Sequence, residues 1–302
     1  MGLLVWTNNN LSAAECDVTN AEFNLQGGEY DAEMGKYTVR SQGISAKNMG
    51  DKFYFKIYVQ LDDGTYVYSD RFSYSAQKYC VDNLNNSNDE ELKAVCVALM
   101  NYGADAQIYF AETSDYTYET LMNDLPVIDQ HQHLVGEYND DMITDLKAMD
   151  PSKHGEFVNT KGFFKRADPY VSLTGALQLN YKITVKNTEY TEAGILVWTE
   201  DVYNSAAVLT HENATKITYE GTGAGVYDVR FTGISAKDMG KTVYACAYMI
   251  VDGEYKYSGM FTYSIEEYAK SVQNSNVEDI LHNVVESMVV YGDYAREYFL
   301  NH

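Results

Sequence analysis

Basic side chains are scarce: 22 Lys and Arg face 44 Asp and Glu, for a formal charge of −22. Phosphate backbones are bound through clustered cations, so this balance excludes nucleic acid as a partner. It disfavours anionic membrane surfaces for the same reason. No apolar run approaches the roughly 20 residues of a membrane span, which argues against membrane insertion. The opening "MGLLVWTNNN" lacks the basic start of a secretory leader and turns polar after six residues. The four cysteines, Cys16, Cys80, Cys96 and Cys246, form no CxxC pair and no regular framework. They read as buried free thiols and leave the compartment open. Proline occurs three times and tryptophan twice, whereas tyrosine occurs 28 times. Tyrosine-rich strands suit sheets that keep a hydroxyl-bearing ring half in water. With 45% hydrophobic residues, the 302-residue chain can build a true core in two ordinary domains or one large one.

The chain repeats itself. "GLLVWT" (2–7) returns as "GILVWT" (194–199), and "GISAKNMG" (43–50) as "GISAKDMG" (233–240). "DGTYVYS" (63–69) returns as "DGEYKYS" (252–258), and "NYGADAQIYF" (101–110) as "VYGDYAREYF" (290–299). The offset stays between 188 and 192, so two copies of about 110 residues follow one another in the same order.

Each copy reads as strands followed by helices. Phe53, Phe55, Ile57, Val59 and Leu61 alternate with Tyr54, Lys56, Tyr58 and Gln60, which predicts a strand with its Phe/Ile face inward. "VYACAYMIV" (243–251) is apolar on both faces, as a more covered strand would be. Asp63-Gly64 and Asp252-Gly253 supply turn chemistry, and the returning strands place Tyr66 with Tyr68 and Tyr255 with Tyr257. Ser75 and Ser264 suit N-caps of a short helix, the second completed by Glu267. Longer amphipathic helices are expected from the S-x-x-E boxes at Ser87 and Ser275. Gly103 and Gly292 occupy one helical position and imply a close approach of the helix to the sheet.

The second copy carries an extension that the first lacks. In "ALQLNYKITV" (176–185), Leu177, Leu179, Tyr181, Ile183 and Val185 alternate with polar residues, which predicts a half-buried strand. Without it, the first sheet should keep an open edge. The expected organisation is a truncated repeat unit at 1–112, an acidic linker at 113–158 and a complete repeat unit at 159–302. Strands with short turns followed by paired helices predict tandem antiparallel β-sandwich units, each with a C-terminal helical hairpin.

"AKDMGKTVYAC" (236–246) resembles the corner before strand F of immunoglobulin-like domains, although its spacing is two residues longer. The first copy has Lys56 in place of Cys246. "GISAKDMG", the "YSGMFTYS" and "YSDRFSYS" strands and the "NYGADAQIYF" tail together resemble a repeat domain of large secreted or wall-attached proteins of Clostridia and related gut Firmicutes. The resemblance covers about three quarters of the chain. It implies a non-catalytic extracellular or cell-wall-attached module serving adhesion or recognition, with no cofactor.

One stretch suggests chemistry. In "VIDQHQHL" (127–134), His131 and His133 alternate as in the first-strand metal motif of amidohydrolase-type enzymes. A barrel of that kind needs about 250 residues, with further ligands on later strands. Only 169 residues follow His133, most of them in the repeat. The stretch therefore reads as linker, with no metal and no catalytic residue assigned. "GISAK" is not a G-x-S-x-G elbow, and "GTGAG" (221–225) lacks dinucleotide-binding spacing. Candidate contact residues are Trp6 and Trp198, at equivalent repeat positions, and the pairs Tyr66/Tyr68 and Tyr255/Tyr257. The expected partner is a host protein, immunoglobulin among them. A glycan-binding module and a structural spacer that displays other domains are the alternatives.

Overall fold

The computed structural model describes residues 1–26, 28–39, 44–110, 137–173, 177–186, 189–219, 224–232 and 234–302. It is a mixed β and α structure with several antiparallel sheets and, among the described residues, five α-helices. The chain divides into two compact units, 1–134 and 135–302.

The first unit holds a sheet of β1 (Gly2–Trp6), β2 (Phe23–Gln26), β5 (Phe53–Gln60), β6 (Tyr66–Tyr68) and β7 (Phe72–Tyr74), with β3 (Glu29–Asp31) and β4 (Lys36–Thr38) in a separate hairpin. The order is β2-β1-β5-β6, with β7 also paired to β5. Helices α1 (Ala76–Asn86) and α2 (Glu90–Tyr109) follow.

The second unit repeats the order as β11 (Thr215–Thr218), β10 (Glu192–Trp198), β13 (Val243–Val251) and β14 (Glu254–Tyr263). Helix α3 (Glu200–Ser205) follows β10, and α4 (Ile265–Gln273) and α5 (Asp279–Asn301) end the unit. Its second sheet is β12-β9-β8, from β8 (Phe164–Ser172), β9 (Gln178–Val185) and β12 (Gly225–Thr232). The registers correspond: Trp6 pairs with Tyr54, and Trp198 with Tyr244.

Local signals explain these elements. Gly64 and Gly253 take the positive φ of +85° and +79° that their tight turns need. Ser75 and Ser264 cap α1 and α4, accepting from the Lys78 and Glu267 amides. The long helices start later than the serine boxes suggest: Asp89 caps α2 through the Leu92 amide, and α5 begins after Glu278. Gly103 and Gly292 do make close contacts, but their neighbours are Met49 and Met239 in the 3₁₀ turns of the "GISAK" segments rather than a sheet. All four cysteines are buried and free.

Three expectations need correction. First, β5 is inverted relative to its pattern: Lys56 and Tyr58 are buried, whereas Ile57 and Val59 are exposed. The Lys56 ammonium is accommodated because it donates to the Ala13 and Cys16 carbonyls, at 2.8 and 3.0 Å, and lies over the Tyr68 ring. Second, β9 does not extend the sheet that contains β10. It lies in the separate sheet, whose Tyr181 ring meets Phe261 of β14 at 5.8 Å. Among the described residues the two sheets share one strand order, and the difference lies in the β9 layer over one face, not in a strand at the edge. Third, 137–158, expected within the acidic linker, packs into the second unit. Phe157 is buried against Trp198, Met142 is buried, and the Thr144 amide donates to Glu266. Apolar side chains spaced through an acidic stretch pay for its ordering once a core receives them. Residues 127–134, with His131 and His133, lie outside the described residues.

Candidate functional site: the tyrosine hairpins

The turn after β5 or β13 returns a strand whose alternate residues share a face, so each hairpin carries a ladder of tyrosines. In the first unit, Tyr66 stacks on Tyr68 at 6.3 Å and meets Tyr58 edge-on at 5.7 Å. In the second, Tyr255 stacks on Tyr257 at 5.9 Å and meets Tyr248 at 5.8 Å. The inner end of each ladder runs into a tryptophan core: Trp6 with Leu4, Cys16 and Tyr58, and Trp198 with Phe157, Tyr203 and Tyr244.

The six candidate contact residues therefore separate. Trp6 and Trp198 are buried, and each indole N–H is satisfied internally, by the Asn20 carbonyl at 3.0 Å and by Asn213 Oδ1 at 2.7 Å. They anchor cores and present no contact surface. Tyr257 is 4% exposed and belongs to that core, and Tyr68 is half-buried. Tyr66 and Tyr255, 40% and 39% exposed, are the ladder rungs that reach solvent. Each pair shares one face of its own hairpin, as expected, but depth along the strand divides its two members.

The surroundings of the two rungs differ. In the second unit, His211 lies 4.4 Å from the Tyr255 ring, its Nε2 is 2.8 Å from the Tyr257 hydroxyl, and Glu156 is 3.7 Å away. Burial holds the His211 imidazole below its ordinary value, while Glu156 acts in the opposite direction. Lys216 pairs with Glu192 at 2.6 Å and lies over the Tyr248 ring, and Tyr248 donates to Glu192 at 2.8 Å. The Lys216 bond is the main cause that lowers Glu192. Burial, then the Glu192 carboxylate, pushes the Tyr248 phenol up. In the first unit the Lys56 ammonium lies over the Tyr68 ring, the Val18 amide donates to Tyr68 Oη at 3.4 Å, and Tyr58 donates to Asn24 and accepts from Gln26, with no counterpart of His211 or Glu156 beside Tyr66 among the described residues.

His211 and Glu156 escaped the sequence reading because neither is repeated and Glu156 lay in the stretch taken as linker. The asparagines at 20 and 213, alike in their bonds to the tryptophans, would have located the His211 loop against the core. Among the described residues, no three or more His, Cys, Asp or Glu side chains are grouped to hold a metal ion, and no helix is long and apolar enough to cross a membrane. Comparison with protein-family models, curated proteins and solved structures found no match.

Proposed function

We propose that the chain is a non-catalytic recognition module, built as two tandem immunoglobulin-like sandwich units with C-terminal helical hairpins and displayed outside the cell or on its wall. Its ligand is a protein, with host immunoglobulin the first to test. The observation that carries this reading is the pair of outward rungs, Tyr66 and Tyr255, at equivalent positions on hairpins where each stacks on a second tyrosine. A half-exposed tyrosine braced by a second ring is already ordered, so binding costs little rotamer entropy. Two linked copies add avidity. The surrounding acidity repels nucleic acid and anionic lipid.

Binding of immunoglobulin and of a polysaccharide panel should be compared for the wild type, Tyr66→Ala, Tyr255→Ala and the double variant. Each single change should weaken a protein ligand by about tenfold. The double change should abolish measurable binding while the circular dichroism stays native. Absence of binding at micromolar concentrations would leave the spacer role, and turnover of any substrate would remove the non-catalytic reading. A glycan is the second reading, favoured by His211 and Glu156 beside Tyr255, because sugar platforms combine a ring with polar side chains. A glycan would be lost with His211→Ala or Tyr255→Ala and retained in Tyr66→Ala.

A further inference from the structure

Among the described residues, part of one face of the first unit's sheet has no layer over it. Leu3, Tyr37, Phe55, Ile57, Phe72 and Tyr74 line a groove of about 380 Å³, with Ile57 44% and Phe72 47% exposed. Contiguous apolar surface of this kind marks a contact site more often than chance. The second unit carries the same face under cover. By register, Leu3 corresponds to Ile195, Ile57 to Ala247, and Phe72 to Phe261. Ile195 and Ala247 are fully buried, and Tyr181 of β9 packs on Phe261. The strand that closes that second sheet also has its counterpart: Gly35, Tyr37 and Val39 repeat as Gly225, Tyr227 and Val229. In the second unit these residues pair with β9, whereas in the first, among the described residues, Tyr37 pairs with Tyr30 of β3.

We propose that this groove seats a two-stranded antiparallel β-ribbon from a polypeptide partner, laid as β8 and β9 are laid in the second unit. The inference rests on reading the units as two copies of one sandwich, and not on the ligand proposed for the tyrosine hairpins. The sheet also specifies the size of the occupant. Phe261 takes its aromatic neighbour, Tyr181, from the ribbon, and Ala245 opposite it leaves room. Phe72 takes its neighbour, Phe55, from within the sheet, at 5.4 Å. A ribbon over the first sheet must therefore carry a small side chain where β9 has Tyr181, so that total core volume is kept. Its other inward positions match the apolar set Leu179, Ile183 and Val185, all buried in the second unit.

The test joins residues 163–193 directly ahead of Gly2 in the full chain, which reproduces the spacing from β9 to β10 and supplies the ribbon at high effective concentration. Trp198→Phe leaves Trp6 as the reporter of the first unit. A graft carrying Tyr181→Ala should raise the Trp6 melting temperature by about 5 °C or more and suppress binding of an apolar dye. The unmodified graft should gain less, and Leu179→Asp/Ile183→Asp in the graft should erase the gain. If neither graft stabilises the first unit, the proposal fails, and gain from the unmodified graft alone would defeat its size rule. A wild-type dimer that Ile57→Asp dissolves would make a second copy the occupant and overturn it. Introducing Leu179→Asp/Ile183→Asp into β9 itself tests the sandwich reading separately: an unchanged second-unit melt would sink that reading.

Discussion

Behind each sheet a helical pair closes over a 3₁₀ turn, and the two units solve the same polar problem there in different ways. In the second unit, Glu266 is fully buried, pairs with Arg296 at 2.9 Å and accepts the Thr144 amide at 2.6 Å. The first unit has Gln77 and Gln107 at the equivalent places, both buried, and Gln107 donates to the Lys47 carbonyl at 3.0 Å. The amide oxygen of Gln107 has no hydrogen-bond partner among the described residues. A charged pair holds three segments together but leaves an uncompensated charge if either partner is removed. A neutral amide binds less and costs less to lose. The difference follows what each unit must hold: the second also ties down 137–158, whose Thr144 ends on the Glu266 carboxylate.

The contrast can be broken most forcefully at Glu266. Glu266→Ala should cost the second unit about 3–5 kcal/mol in urea unfolding followed by Trp198 fluorescence, and should release 137–158 to proteolysis. Lys56→Ala should cost the first unit about 2 kcal/mol, read by Trp6, because it deletes a buried ammonium bonded to two carbonyls. Gln77→Ala, the neutral counterpart of the Glu266 change, should cost about 1 kcal/mol. An equal loss from Gln77→Ala and Glu266→Ala would end the argument that charge distinguishes the two cores.

The smallest effect is a pH dependence confined to the second unit. Burial keeps the folded His211 value below the unfolded one of about 6.5, so the unfolded state binds more protons in the window between them. The contribution of neutral His211 is complete above about pH 6.5 and is lost as pH falls through the depressed folded value. His211→Gln should flatten the second unit's stability between pH 7 and 5 and leave the first unit's profile unmoved. A drop common to both units, unaffected by His211→Gln, would assign the dependence elsewhere.

Sequence alone determined the recurring motifs, the strands and helices with their glycine turns and the Ser75 and Ser264 caps, and the pairing of tyrosines on the returning strands. These depend on periodicity and on neighbours a few residues apart. It did not determine which face of β5 is covered. Alternation defines two faces, but only another layer decides which one loses water, and in the first unit a loop with Cys16 covers the Lys56 face. Nor did it separate Tyr66 and Tyr255 from Tyr68 and Tyr257, or the buried tryptophans from a contact surface. Burial is set by segments far along the chain: Phe157 and His211 close over Trp198 and Tyr257, and Asn20 closes on Trp6. The tertiary structure decided those, because solvent exclusion is a property of packed layers and not of a strand's own pattern.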